Sequence, residues 1–506
     1  MKKIMMMCAA IAAMVSVIGN AAEPVSPVGR VALKSKDRTW KIIYGSSEGP
    51  EGRALELLSA EIGSIYIRDR GVYTIHVLPC EKAGSRSVPA MTNAFVIGTW
   101  KSNPALHSLI TEADIPAGGY LVKTIRTAAG ERVVLAGSTP AAVIWAVADF
   151  LDDGLPALAV KRWDGLQYVS EIFNGSPLGR YESRRAPKTP KRSVFLWAHT
   201  MNDYREYFRN LARMKFNEVI LWNNRPPVNA REVVDYAKSW GLTVLWGYAW
   251  GWSTNCTRAD LGDLGKLEED IVREWRETWR PLGGDGIYFQ SFTELAQSEI
   301  GGRSIAEAVV ELVNSVAARI RKEEPDLRIV FGLHASSVKG RLAVIDRTDK
   351  SVEILWEDMG GFPFNRGKSI NPAADRRLVD AILAEDREVG LVFKCQLVQD
   401  WQHFAYQAGP YVLGCDSRAT AEEDEATAEE LWRPFLVDWH THGRLAYDYI
   451  RRIQKARPDR PAALNIAANI NGKIRFITAL VAEMFWSADD PYDVIVNRVL
   501  KRKVGK

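Results

Sequence analysis

The chain has 506 residues, 47% hydrophobic and 25% charged, a balance that excludes a disordered protein and accommodates a large domain with a smaller one. Its net charge of +4 is spread along the chain. With no Lys/Arg block of the kind that holds phosphate backbones, no nucleic-acid partner is expected.

Lys2 and Lys3 precede an apolar run from Ile4 to Ile18, and Gly19, Ala21 and Ala22 follow. Residues 1–22 therefore read as a secretory signal peptide. The run is short for a bilayer span, and no later segment is apolar enough to cross one. The expectation is an exported protein, periplasmic or extracellular, with no membrane span after cleavage. Four cysteines remain, Cys80, Cys256, Cys395 and Cys415. Their spacing suggests no zinc site, so no metal or cofactor is expected; Cys395 with Cys415 is the one disulfide pairing considered.

After an N-terminal segment at 23–37, residues 38–155 read as a small α/β domain. Trp40–Tyr44, Tyr73–Leu78 and Ala94–Gly98 have strand character, Glu51–Arg68 has helical spacing of apolar residues, and a short helix falls near Pro104–Ile110. Tyr120–Arg126 and Arg132–Ala136 form a hairpin-like pair. Thr139 and Pro140 then open a helix that runs to Leu151, with Thr as N-cap and Pro at the first helical position. Residues 156–192 are a connector that ends in a basic, proline-broken run, Arg184–Arg192.

From Ser193 apolar strands alternate with amphipathic helices. The strands are Val194–Trp197, Glu218–Trp222, Leu242–Trp246, Gly286–Phe292, Arg328–Leu333, Val352–Trp356, Leu391–Cys395 and Ala463–Ala467; Tyr411–Gly414 competes for the eighth place. Eight such units over 193–490 predict a (β/α)₈ TIM barrel preceded by a small α+β domain, with a C-terminal helical tail at 491–506. The centre of this pattern is Asp285–Glu294: a Gly-Gly-Asp-Gly turn, an aromatic strand, and a carboxylate at its end.

Barrels of this kind keep their chemistry at the carboxyl ends of the strands. Those ends carry Trp197 and His199, Trp222 and Asn223, then Trp246, Tyr248 and Trp250. Gln290, His334, Trp356, Lys394, Gln396 and Trp401 follow on the later strands. Of the 17 Trp in the chain many fall here, and flat aromatic faces beside amides suit sugar rings. Glycoside cleavage needs an acid at the leaving oxygen and a second carboxylate as nucleophile or base. Glu294 reads as the acid, and Glu357 or Asp358 at the end of strand six as the second group.

Residues 38–155 resemble the α/β domain that precedes the barrel in family-20 β-hexosaminidases and family-67 α-glucuronidases. Lys41–Gly45, Val96–Thr99, Ala117–Val122 and Val134–Leu151 carry the likeness. The hexosaminidase resemblance implies an Asp-Glu pair after strand four, and here the pair is Thr293-Glu294: the acid carries over, the acetamido-orienting Asp does not. The α-glucuronidase resemblance implies a strand-four acid with carboxylate bases from later strands, which Glu294 with Glu357 or Asp358 would imitate. Together these readings predict a glycosidase acting on an oligo- or polysaccharide, hexosaminide- or uronide-containing, without a metal. The alternative is a carbohydrate-binding protein on a barrel that has lost its catalysis.

Overall fold

The structure is a computed structural model that describes residues 40–62, 64–69, 72–84, 93–158, 160–161, 167–168, 178–197, 203–222, 225–251, 261–294, 297–334, 340–357, 372–396, 411–414, 442–468 and 476–502. For some of these, Glu294 among them, only the backbone is described. The expected signal peptide and the segment after it lie outside these residues.

The first layer is a six-stranded mixed sheet. Its strands are β1 (Trp40–Tyr44), β2 (Cys80–Lys82), β3 (Asn93–Thr99), β4 (Tyr120–Thr127), β5 (Gly130–Gly137) and β6 (Glu182–Arg185), in the order β6-β4-β5-β3-β1-β2. Helices α1 (Gly49–Ile62) and α2 (Pro140–Asp149) pack on one another beside it. The expected start of α2 is present: Thr139 caps it by accepting from Ala142 N at 3.3 Å, with Pro140 in the first turn. The helix expected to run to Arg68 stops at Ile62 instead. Ser64–Asp69 pairs antiparallel with Val72–Val77; Ile65, Tyr66 and Ile67 are β-branched or aromatic residues of high strand propensity.

Eight parallel strands follow and close on themselves. They are β7 (Arg192–Trp197), β8 (Glu218–Trp222), β9 (Thr243–Trp250), β10 (Gly286–Ser291), β11 (Arg328–His334), β12 (Glu353–Glu357), β13 (Val389–Gln396) and β14 (Ala463–Ala468), with β14 pairing back to β7. The helices α3 (Tyr204–Arg213), α4 (Ala230–Ser239), α5 (Leu264–Glu274), α6 (Ile305–Glu323), α7 (Pro372–Leu383), α8 (Phe476–Trp486) and α9 (Tyr492–Lys501) follow their strands. Tyr411–Gly414 is not a strand: Tyr411 and Leu413 bond to the loop after β8 through Val228 N, Arg225 O and Asn229. The eighth place belongs to Ala463–Ala468.

Closure gives each strand two different faces. Phe195, Ile220, Trp222, Leu245, Tyr288, Val330, Leu355 and Val392 form a core inside the barrel. The alternate residues, such as Val194, Val219, Trp246, Phe289, Phe331 and Trp356, belong to the larger core between strands and helices. At the amino-terminal end the interior turns polar. Arg328 on β11 bonds Glu353 on the neighbouring β12 through two nitrogens, each at 3.0 Å, and also reaches Glu218 on β8, which is not its neighbour in the sheet. That last bond runs across the barrel and ties its opposite walls.

Helix α8 is apolar apart from Thr478 and Glu483, and it is buried from Ile477 to Trp486. It joins the barrel to the first sheet. Glu483 Oε1 accepts from Lys215 Nζ at 3.0 Å and Arg502 Nη1 at 2.7 Å, and Oε2 accepts from Arg185 Nη2 at 3.2 Å and Arg498 Nη1 at 3.3 Å. Arg185 comes from β6 of the first sheet, and Arg502 also holds Asp153 at 2.6 Å. Burial by itself would raise the Glu483 carboxyl, but Arg502, Lys215 and Arg185 hold it well below the usual carboxylate range.

Two outcomes are expected. Glu483→Ala leaves several buried cations uncompensated and costs about 3–5 kcal/mol in a urea titration. Because the folded-state value of Glu483 is depressed, its stabilisation is present above its ordinary value of 4.5 and is lost as pH falls below it. The melting temperature of the wild type therefore drops more steeply below that pH than that of Glu483→Gln.

Candidate active site

The carboxyl end of the barrel interior is where the sequence places its chemistry, and one carboxylate there is fully described. Glu357, the last residue of β12, is 2% exposed. Its Oε1 takes hydrogen bonds from Tyr288 Oη and from Gln290 Nε2, and the same Gln290 nitrogen lies 3.1 Å from Tyr288 Oη. Tyr288 and Gln290 are alternate residues of β10, so the strand's period of two turns both inward. Strand β11 separates β10 from β12, and Tyr288 reaches Glu357 by lying across it at Gly332. A Cβ at position 332 would collide with Tyr288 Oη, which makes glycine a requirement there. The same device recurs beside it: Trp222 lies over Gly247, where a Cβ would meet Trp222 Cε3 at 2.6 Å. Trp222 and Tyr288 meet edge to face at 5.7 Å.

Strand β10 ends at Ser291, and Phe292–Glu294 form one turn of 3₁₀ helix. Glu294 is thus three residues beyond the strand, on the end of the barrel where Glu357 lies. Thr293, where the hexosaminidase resemblance implies an Asp, is buried with its hydroxyl 3.4 Å from that of Ser291. The register also sets His334 opposite Glu357 and Trp197 opposite Trp222. For Glu294, Trp197, His334, Lys394 and Gln396 only the backbone is described, and His199, Asn223, Asp358 and Trp401 lie outside the described residues, as does Cys415.

Four of the expected sugar-stacking residues lie elsewhere. Trp246, Tyr248, Trp250 and Trp356 are all buried in the layer between the strands and the outer helices. Trp246 and Tyr248 pack on Trp279, at 6.0 and 5.2 Å, and Trp250 stacks on Phe289 at 3.5 Å. The reason is strand length. β9 continues to Trp250 instead of ending at Trp246, so 246, 248 and 250 share one face, the outer one, while Leu245, Gly247 and Ala249 take the inner one. Trp356 is outward for the same reason that Glu357 is inward. Tyr288 is the site residue that the sequence reading did not single out; its signal was its place two residues before Gln290.

No protein-family model matches the sequence, and no curated protein matches it. Solved structures do. One is titled "Structure of CpGH84B": it is 12% identical, the match covers 94% of this chain and 72% of that one, and the TM-score is 0.51. Another is the family-20 β-N-acetylhexosaminidase from Streptomyces coelicolor A3(2), 12% identical over 91% of this chain and 90% of that one, with a TM-score of 0.51. A third, "Structure of CpGH84D", is 13% identical with a TM-score of 0.39, and this chain spans 56% of its length. The first two likenesses, both to glycoside hydrolases, show the fold alone: a TIM barrel, accompanied in this chain by a second sheet.

The corrected placement of the tryptophans is testable. Trp250→Ala is expected to lower stability by about 3–5 kcal/mol in chemical denaturation, as a core truncation does, whereas a rim aromatic would cost far less.

Proposed function

We propose that the protein is an exported glycoside hydrolase that cleaves an oligo- or polysaccharide with a pair of carboxylates. The observation that carries this reading is Glu357, buried and hydrogen-bonded at the carboxyl end of a closed barrel, with Glu294 beyond the end of β10. The barrel's likeness to glycoside hydrolases supports it. In this reading Glu294 protonates the leaving oxygen. Glu357 takes the proton of an attacking water or attacks the anomeric carbon itself, and Asp358 is the other candidate for that role. Trp222 inside the mouth, with Trp197, His199, Asn223, His334, Lys394, Gln396 and Trp401, forms the group from which the sugar contacts are drawn. The substrate is hexosaminide- or uronide-containing, as the resemblance to families 20 and 67 suggests. Thr293 argues against cleavage assisted by an acetamido group, since a hydroxyl bonded to Ser291 does not replace the orienting carboxylate. Export rests on the sequence of residues 1–22.

A panel of 4-nitrophenyl glycosides, including N-acetylhexosaminides and uronides, tests the assignment. Glu294→Gln and Glu357→Gln are each expected to lower kcat by about 10²–10⁴ on whichever glycoside the wild type cleaves. Turnover by Glu294→Gln at the wild-type rate would sink the acid assignment. The second reading, a carbohydrate-binding protein without turnover, is motivated by Thr293. It predicts glycan binding by calorimetry and no hydrolysis of the bound glycan by the wild type.

A further inference from the structure

The hydrogen bonds around Glu357 have a direction that its surroundings impose. Gln290 Nε2 carries two protons, and it faces two oxygens, Tyr288 Oη and Glu357 Oε1. Tyr288 Oη therefore accepts from Gln290, and its single proton is turned toward Glu357 Oε1. The reversed amide would set Gln290 Oε1 against a carboxylate oxygen, acceptor on acceptor, so this orientation is the one that bonds. Two donors then converge on one oxygen of Glu357. A neutral acid with its proton on Oε2 would accept the same two bonds, but more weakly than the charged carboxylate does. The cluster suits the anion.

We infer that Tyr288 and Gln290 are positioning residues that keep Glu357 ionised and fix its plane, so that Glu357 is the base or nucleophile and not the acid. This rests on the glycosidase reading above and adds to it the division of labour between the two carboxylates. Burial disfavours the anion, and the paired donors, both themselves held in place, favour it. Tyr288 is wedged over Gly332 and packed between Phe195, at 4.9 Å, and Trp222. Gln290 is fully buried, and its Oε1 has no hydrogen-bond partner among the described residues. That acceptor lies on the amide that touches Glu357, where a substrate hydroxyl would supply its missing donor.

The test compares wild type, Tyr288→Phe, Gln290→Met and Glu357→Gln by two readouts. The first is the pH profile of kcat/KM on the 4-nitrophenyl glycoside that the wild type cleaves. The second is an infrared titration of the carboxylate band that Glu357→Gln removes, which needs no substrate. Tyr288→Phe keeps the ring over Gly332 and loses only the donor. Its acid limb, and the infrared midpoint of Glu357, are expected to move up by about one pH unit, and Gln290→Met in the same direction. Superimposable infrared titrations of wild type and Tyr288→Phe would overturn the inference. Full turnover by Glu357→Gln would instead overturn the assignment of Glu357 to catalysis, while the infrared shift would still report on the clamp.

Discussion

Closure of the parallel sheet is the constraint on which the rest depends. An open parallel sheet leaves two edges of unpaired peptide groups, and pairing β14 with β7 removes both. Once closed, the sheet has only an inside and an outside. The period-two alternation of each strand then sends half its side chains to a lumen just wide enough for eight or so large residues. The same closure points every strand's carboxyl end at one rim. Groups from β10 and β12, which do not pair, meet there because they face a common interior.

The two ends of that interior use polarity differently. At the amino-terminal end Arg328 and Lys191 are matched by Glu218 and Glu353, so that two cations face two carboxylates within the protein. Such a closed set braces the barrel. At the carboxyl end Glu357 takes hydrogen bonds from two neutral donors, a tyrosine and an amide. Among the described residues Gln290 keeps an acceptor in reserve. Balanced charge inside a core suits support, and an anion held by neutral donors suits chemistry. Between barrel and first sheet, Glu483 belongs to the first kind: one carboxylate shared by four cations from several elements, three of which also hold acids, Asp153, Asp490 and Asp149.

Much of the architecture was legible in the residues. All eight strands lie where apolar runs alternate with helical ones, and Ala463–Ala468 prevailed over Tyr411–Gly414 for the last place because the latter bonds to a loop and not to a strand. Local chemistry also read well where it is local, as in the Thr139–Pro140 helix start. It failed where two patterns overlap: Ser64–Asp69 extends the apolar spacing of α1 while Ile65, Tyr66 and Ile67 have the branched and aromatic side chains of a strand, and pairing with Val72–Val77 decided the matter.

The candidate site shows the boundary between the two sources most clearly. By itself the sequence determined that carboxylates, amides and aromatics gather at strand ends, since strand order and strand termini follow from periodicity and turns. It did not determine which of them face inward. Trp246, Tyr248, Trp250 and Trp356 were equal to Trp222 in the sequence, yet only Trp222 joins the interior core. One residue of strand length or phase reverses every side chain, and phase is set by pairing across the closed sheet. Tertiary structure alone decided that Tyr288 reaches Glu357, because that contact needs a glycine on the strand between them, and the three positions are far apart in the chain.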